Sequence, residues 1–142
     1  MPYEAVTETL YTTAATATAG REGTVKSEDG VVDLPLGKPG SAANPKANPE
    51  TLFAAGFSAC FSGALNLVAK RDGHDTSAST VTADVTFGKT ETGAGLAVAI
   101  EAVIPGVDDA KAQELVEKAH QVCPYSKATR GNIDVTVTGR AA

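Results

Sequence analysis

The chain has 142 residues, 42% hydrophobic and 20% charged. That is one ordinary globular domain with a real core, and the composition excludes a disordered chain. Twelve basic against 17 acidic residues leave a net charge of −5, and with no Lys/Arg cluster this excludes a nucleic-acid binder and disfavours an anionic membrane surface.

The opening Met1-Pro2-Tyr3-Glu4-Ala5 has neither a basic n-region nor an apolar h-region. The expectation is therefore no signal peptide and a cytoplasmic protein. Residues 7–19 are rich in Thr and Ala, and Ala15, Ala17 and Ala19 alternate with Thr16 and Thr18. A period of two suits a half-buried strand. Gly20-Arg21-Glu22-Gly23 breaks that run. Glu28-Asp29-Gly30 reads as a hairpin turn, because Asp-Gly tolerates positive φ. It separates a short strand around Val25 from another at Val31 to Leu36. Gly37 to Pro49 is a loop, dense in Gly, Pro, Asn and Ala.

Asn48-Pro49-Glu50 starts a helix. Asn caps free N–H groups, Pro costs no hydrogen bond at the first position, and an acid in the first turn suits the helix dipole. Asn44-Pro45 is a rival start, but Lys46 follows where an acid is preferred. The helix should run to about Arg71 and stop at Gly73. Its stretch from Leu52 to Ala69 is apolar almost all round, interrupted by Gly56, Ser58, Ser62, Gly63 and Asn66. That pattern predicts a buried soluble helix over a membrane span.

Two clean strands follow. Val81, Ala83, Val85 and Phe87 alternate with polar residues, and so do Leu96, Val98 and Ile100 with their neighbours; a Gly-rich segment joins them into a hairpin. A second helix begins near Asp108-Asp109, with Ala112, Leu115, Val116, Ala119, Val122 and Cys123 on one apolar stripe. Pro124 ends it, since the residue before Pro avoids the α region. A further helical turn spans Pro124 to Arg130, and Ile133, Val135 and Val137 make the last strand. The order βββ-α-ββ-α-β is α+β with a mostly antiparallel sheet. A helix of about 22 residues is about 33 Å long. Burying it on all sides asks for more protein than one chain offers, so a two-fold homodimer is expected.

The chemistry turns on two cysteines, Cys60 and Cys123. A structural disulfide does not suit a reducing cytosol. Each thiol is then either a small buried hydrophobe or a chemical actor. If the two thiols meet, a redox dithiol site needs a thiolate, a cation to stabilise it, and a second thiol to trap the sulfenic acid. The dipole of the long helix does little for Cys60, which lies about 16 Å beyond Pro49. Arg21, Arg71, Arg130 and Arg140 are the arginines on offer, and spacing does not choose among them. Local physics leans toward Cys123 as nucleophile, because the turn after Pro124 would lower its pKa.

The stretch Asn48-Pro49-Glu50-Thr51-Leu52-Phe53-Ala54-Ala55-Gly56-Phe57-Ser58-Ala59-Cys60-Phe61 resembles the first cysteine motif of the organic hydroperoxide resistance proteins, within the superfamily of osmotically inducible protein C. Ala119-His120-Gln121-Val122-Cys123-Pro124-Tyr125-Ser126-Lys127-Ala128-Thr129-Arg130-Gly131-Asn132 resembles the second. The opening from Leu10-Tyr11-Thr12 through Gly20-Arg21-Glu22-Gly23 is also similar, so the likeness covers residues 1–142 as a single domain. The resemblance implies a thiol peroxidase for alkyl and fatty-acid hydroperoxides. Cys60 is then peroxidatic, Cys123 resolving, and Arg21 the cation held by Glu50. It also implies an intertwined homodimer, a dithiol reductant such as protein-bound lipoamide, and no metal, flavin or other cofactor. Phe53, Phe57 and Phe61 are candidate apolar walls for the peroxide, against a plain core-packing role.

Two other classes compete. His120 and Cys123 are spaced i, i+3 and with Cys60 could form a metal module, though no fourth ligand is evident. A non-catalytic carrier of apolar ligands would use the dimer pocket without needing the thiols.

Overall fold

The computed structural model describes residues 3–40 and 43–142. The chain forms two compact units, Met1–Pro49 and Glu50–Ala142.

The N-terminal unit carries an antiparallel three-stranded sheet in the order β1 (Ala15–Thr18), β2 (Thr24–Ser27), β3 (Asp33–Pro35). The strand expected from the alternation of Ala15, Thr16, Ala17, Thr18 and Ala19 forms over Ala15–Thr18, but all four residues are exposed where a half-buried strand was expected. The β1–β2 connection is a 3-10 turn at Gly20–Glu22 that presents Arg21. Its backbone is tightly specified. Ala19 and Gly20 have φ of 63° and 70°, and a Cβ at Gly23 would run into the Thr18 carbonyl. The Asp29-Gly30 turn forms as expected, with Gly30 at φ 79° and the Ser27 hydroxyl donating to Asp29 Oδ1 at 2.6 Å.

The C-terminal unit is built on α1 (Pro49–Arg71), which starts and ends where the capping signals place it. Gly73 closes the helix at φ 80°, and the next N–H, from His74, returns to the Ala69 carbonyl at 2.8 Å. By length and composition α1 could cross a membrane. Its buried stripe of Phe57, Phe61, Ala64, Leu65, Val68 and Ala69 instead forms core with strands and α2. Thr51, Ala55, Ala59, Gly63 and Leu67 on its other side are exposed in the single chain. The all-round burial expected from its apolarity is therefore not reached within one chain.

Strands β4 (Thr80–Thr90) and β5 (Gly93–Ile104) form a long antiparallel hairpin. Pairing continues to Thr90↔Gly93, so Gly88 and Gly95 sit opposite one another inside the strands. Phe87, expected on the inward face, is 55% exposed. The sheet is completed by β6 (Asp134–Ala141), which pairs with β5 in parallel, the one departure from antiparallel pairing among the described strands. A parallel return needs a crossover connection, and α2 (Asp109–Val122) with α3 (Pro124–Thr129) supplies it.

Helix α2 is capped by Asp108, whose carboxylate accepts from the Lys111 N–H at 2.8 Å. It buries Ala112, Leu115, Val116 and Ala119, while Val122, predicted on the same stripe, is 43% exposed. The helix also closes the free edge of β6. Gln113 donates to the Val137 carbonyl at 3.3 Å and accepts from the Gly139 N–H at 2.9 Å, and Asp109 accepts from Ala141 N–H at 2.7 Å. These side chains do what a neighbouring strand would do. The approach leaves no room for a side chain at residue 139, where a Cβ would strike the Ala112 carbonyl and lie 3.0 Å from Gln113 N. Gly139→Ala is expected to cost about 1–3 kcal/mol by pushing α2 off the edge. A lowered urea midpoint checks this, and an unchanged midpoint would contradict the close approach.

Candidate active site

Cys60 lies in the middle of α1, on a helix anchored by core side chains on both sides of it in sequence. Cys123 lies at a bend, ending α2 and capping α3 with an extended backbone (φ −67°, ψ 123°). Pro124 imposes that bend, because a residue before Pro is driven out of the α region.

Three contacts run α1 antiparallel to the α2–α3 segment. Asp72 pairs with Lys118 at 2.6 Å, Cys60 meets Cys123, and the Phe53 and Phe57 rings meet Tyr125. In the middle contact the two sulfurs are 3.6 Å apart, the Cys123 thiol donating toward Cys60. Both thiols are free; Cys60 is half-buried and Cys123 fully buried. Of the pair, Cys60 is the one a solvent-borne molecule can reach.

Burial pushes the Cys60 thiol above its ordinary value, because a thiolate loses hydration there. The backbone N–H of Tyr125 opposes this by favouring the thiolate, and the neighbouring Cys123 adds to the upward push. The α3 turn thus acts on Cys60 across space, whereas local reasoning aimed its effect at Cys123. No sequence spacing could have shown it, since the donor lies 65 residues from the sulfur.

Tyr125 is the principal residue that sequence reasoning missed. Its ring stacks on Phe53 at 6.3 Å and meets Phe57 edge-on at 5.7 Å; Phe53 and Phe57 also meet edge-on at 5.7 Å. Such pairs contribute about 0.5–1.5 kcal/mol each beyond area burial. The ring lies against Gly56, one turn before Cys60, where an added Cβ would stand 3.3 Å from it. A bare Gly56 lets the tyrosine close on the helix. The signal available was Gly56 at i−4 from Cys60 together with Tyr125 two residues after Cys123. Among the predicted wall residues, Phe57 and Phe61 are fully buried, and Phe53 is half-buried at the edge of the cluster.

Glu50 occupies the first turn of α1, and Arg21 stands on the 3-10 turn of the N-terminal unit. The other arginines are placed elsewhere. Arg71 ends α1, about 16 Å along the axis from Cys60. Arg140 pairs with Glu101 at 3.5 Å on the sheet. Arg130 donates to the His120 carbonyl at 2.6 Å, serving the C-terminal end of α2.

His120 sits beside this bend. Its Nδ1 is 2.8 Å from Ser126 Oγ, and Ser126 is fully buried. Burial, and then the charge of Arg130, lower the His120 pKa and favour the neutral imidazole. Among the described residues, no group of three or more His, Cys, Asp and Glu side chains is gathered for a metal ion.

A half-exposed thiol, a buried thiol at 3.6 Å and an amide directed at the first can support reversible dithiol–disulfide chemistry. The family model described as "OsmC-like protein" matches residues 40–138. The organic hydroperoxide resistance protein of Xanthomonas axonopodis pv. citri is 49% identical over 133 residues, spanning 91% of this chain and 94% of that one. The crystal structure of an organic hydroperoxide resistance protein from Elizabethkingia anophelis superposes with a TM-score of 0.86 at 53% identity, covering 95% of this chain and 99% of that one. The Bacillus subtilis protein OhrB superposes with a TM-score of 0.86 at 42% identity, covering 94% and 100%.

Proposed function

This chain belongs to the OsmC-like protein family and groups with its organic hydroperoxide resistance proteins, and from that premise we propose that it is a thiol-dependent peroxidase reducing organic hydroperoxides to alcohols. The observation that carries the reading is the cysteine pair at 3.6 Å with its unequal exposure.

In this mechanism the Cys60 thiolate attacks the distal oxygen of ROOH. An S–O bond forms and the O–O bond breaks, leaving Cys60 as a sulfenic acid and releasing RO⁻, which takes a proton to become the alcohol. The Cys123 sulfur then attacks the sulfenic sulfur. An S–S bond forms, and the hydroxyl leaves with the Cys123 proton as water. A dithiol, such as protein-bound lipoamide, reopens the disulfide by exchange and is itself oxidised to a cyclic disulfide.

Burial raises the Cys60 thiol, so a cation beside it would favour the thiolate at neutral pH. In this reading Arg21, held by Glu50, fills that role, and the likeness of the motifs that contain both residues supports it. Its planar fork suits a thiolate and a breaking O–O bond at once. Half-buried Phe53 and the partly exposed Tyr125 give the site its apolar character, which favours alkyl chains, while Phe57 and Phe61, fully buried, back them as core.

In this reading the working unit is a cytoplasmic homodimer. The open small-residue face of α1 and the exposed Tyr3, Val6, Leu10 and Tyr11 support a partner subunit.

The test compares an alkyl hydroperoxide with hydrogen peroxide, each with dihydrolipoamide and with reduced thioredoxin as donor. Faster turnover of the alkyl peroxide with dihydrolipoamide is expected. No consumption with either donor would overturn the reading. Blocking both thiols separates it from an apolar-ligand carrier, whose binding would survive the treatment.

A further inference from the structure

Cys60 and Cys123 have unequal supports. Cys60 rides on a 23-residue helix packed into the core. Cys123 sits at the junction of α2 with a six-residue helix. The sulfurs are 3.6 Å apart, and a disulfide brings them to about 2.05 Å. The junction must therefore stay close to that geometry while the sulfenic acid waits, or the second step loses its partner.

The main chain gives the junction limited support. The Cys123 N–H bonds back to Ala119 O at 2.9 Å, and its carbonyl accepts from Lys127 N–H at 3.0 Å. These bonds extend each helix to the bend and say nothing of the angle between them. The His120–Ser126 bond does span it, joining the last turn of α2 to the first turn of α3 with Cys123 midway. Arg130, at the far end of α3, reaches back to the His120 carbonyl and adds a second strut. Ser126 is fully buried, so its hydroxyl has no water to replace a lost partner.

We propose that His120 and Ser126 are positioning residues for the resolving step, their bond fixing the α2–α3 bend so that the Cys123 sulfur stays within bonding reach of Cys60. The proposal rests on the peroxidase reading above and deepens it. Neither residue supplies a reacting group; a loosened bend reaches the first step only through the Tyr125 N–H that favours the Cys60 thiolate, whereas it displaces the attacking sulfur of the second step itself. A loosened bend delays S–S bond formation, and a second peroxide then competes for the waiting sulfenic acid. That side reaction converts Cys–SOH and ROOH into Cys–SO₂H and ROH, and in a thiol-only system it is irreversible.

The test uses rapid-quench time courses on the full chain, with dimedone trapping and intact mass separating sulfenic acid, disulfide and sulfinic acid. His120→Ala and Ser126→Ala are each expected to slow disulfide formation by about tenfold, the weight of one buried hydrogen bond, and to raise the sulfinic fraction, with a clearly smaller change in the rate of sulfenic acid formation. The double variant should be no slower than either single one, because both remove the same bond. His120→Asn should recover most of the rate, since its amide can still bond the Ser126 hydroxyl. Wild-type disulfide formation in His120→Ala, or additive losses in the double variant, would overturn the proposal. Should His120→Ala fail to fold, Ser126→Ala and His120→Asn carry the same contrast. If wild-type Cys60 gives no adduct with peroxide at all, it is the peroxidase reading that has failed.

Discussion

Cys60→Ser is expected to bring alkyl hydroperoxide consumption down to the uncatalysed level while the protein stays folded. The reacting species is the thiolate, and a serine hydroxyl at the same place is a far weaker acid and a harder nucleophile. The change is nearly isosteric at a half-buried position, so the melting temperature should move little. The pH profile of the wild-type first step gives an independent check. Burial raises the Cys60 thiol, against the pull of the Tyr125 amide. A raised thiol has less thiolate at any given pH, so the second-order rate should climb through the neutral range. It should level off only once pH passes the thiol's own value, which a guanidinium beside it would bring lower. A Cys60→Ser protein that still turned over peroxide at the wild-type rate would remove the chemistry from this helix.

Cys123→Ser is expected to separate the two halves of the cycle. Cys60 should still reduce one equivalent of peroxide, and dithiol-supported turnover should then collapse, with Cys60 accumulating as sulfinic and sulfonic acid. The reason is geometric: the trapping sulfur 3.6 Å away is gone, and the sulfenic acid meets the next peroxide instead. Because residue 123 is fully buried, the serine hydroxyl also carries a stability cost, about 1–3 kcal/mol if it finds no partner. Mass spectrometry after graded peroxide additions gives the answer. An unmodified Cys60, or sustained turnover with a dithiol, would contradict Cys123 as the resolving thiol. The contrast with His120→Ala is informative, because that variant keeps the trapping sulfur and should chiefly change how fast it arrives.

Much of the architecture was legible in local sequence. Asn48-Pro49-Glu50 and Gly73 bracket α1 at Pro49–Arg71, Asp29-Gly30 makes its turn, and Pro124 breaks the α2–α3 segment at Cys123. These signals act through the sterics and hydrogen bonding of a few consecutive residues, so a window of sequence contains their whole cause. The exposed Val122 and Phe87 mark the limit of periodicity. A repeat says which residues share a face, and the end of an element can outrun the surface that covers it.

The cysteines and their motifs could be picked out from sequence alone, which also supplied the candidate chemistry. Only the tertiary structure decided that the two sulfurs meet at 3.6 Å, that Cys60 is the reachable one, and that β6 returns parallel to β5. It also decided that the Tyr125 amide serves Cys60, with Gly56 bare to admit the ring. Each of these depends on chain segments tens of residues apart being pressed together. The energy that selects such an arrangement comes from burial of the shared core, and no residue's near neighbours in sequence encode it.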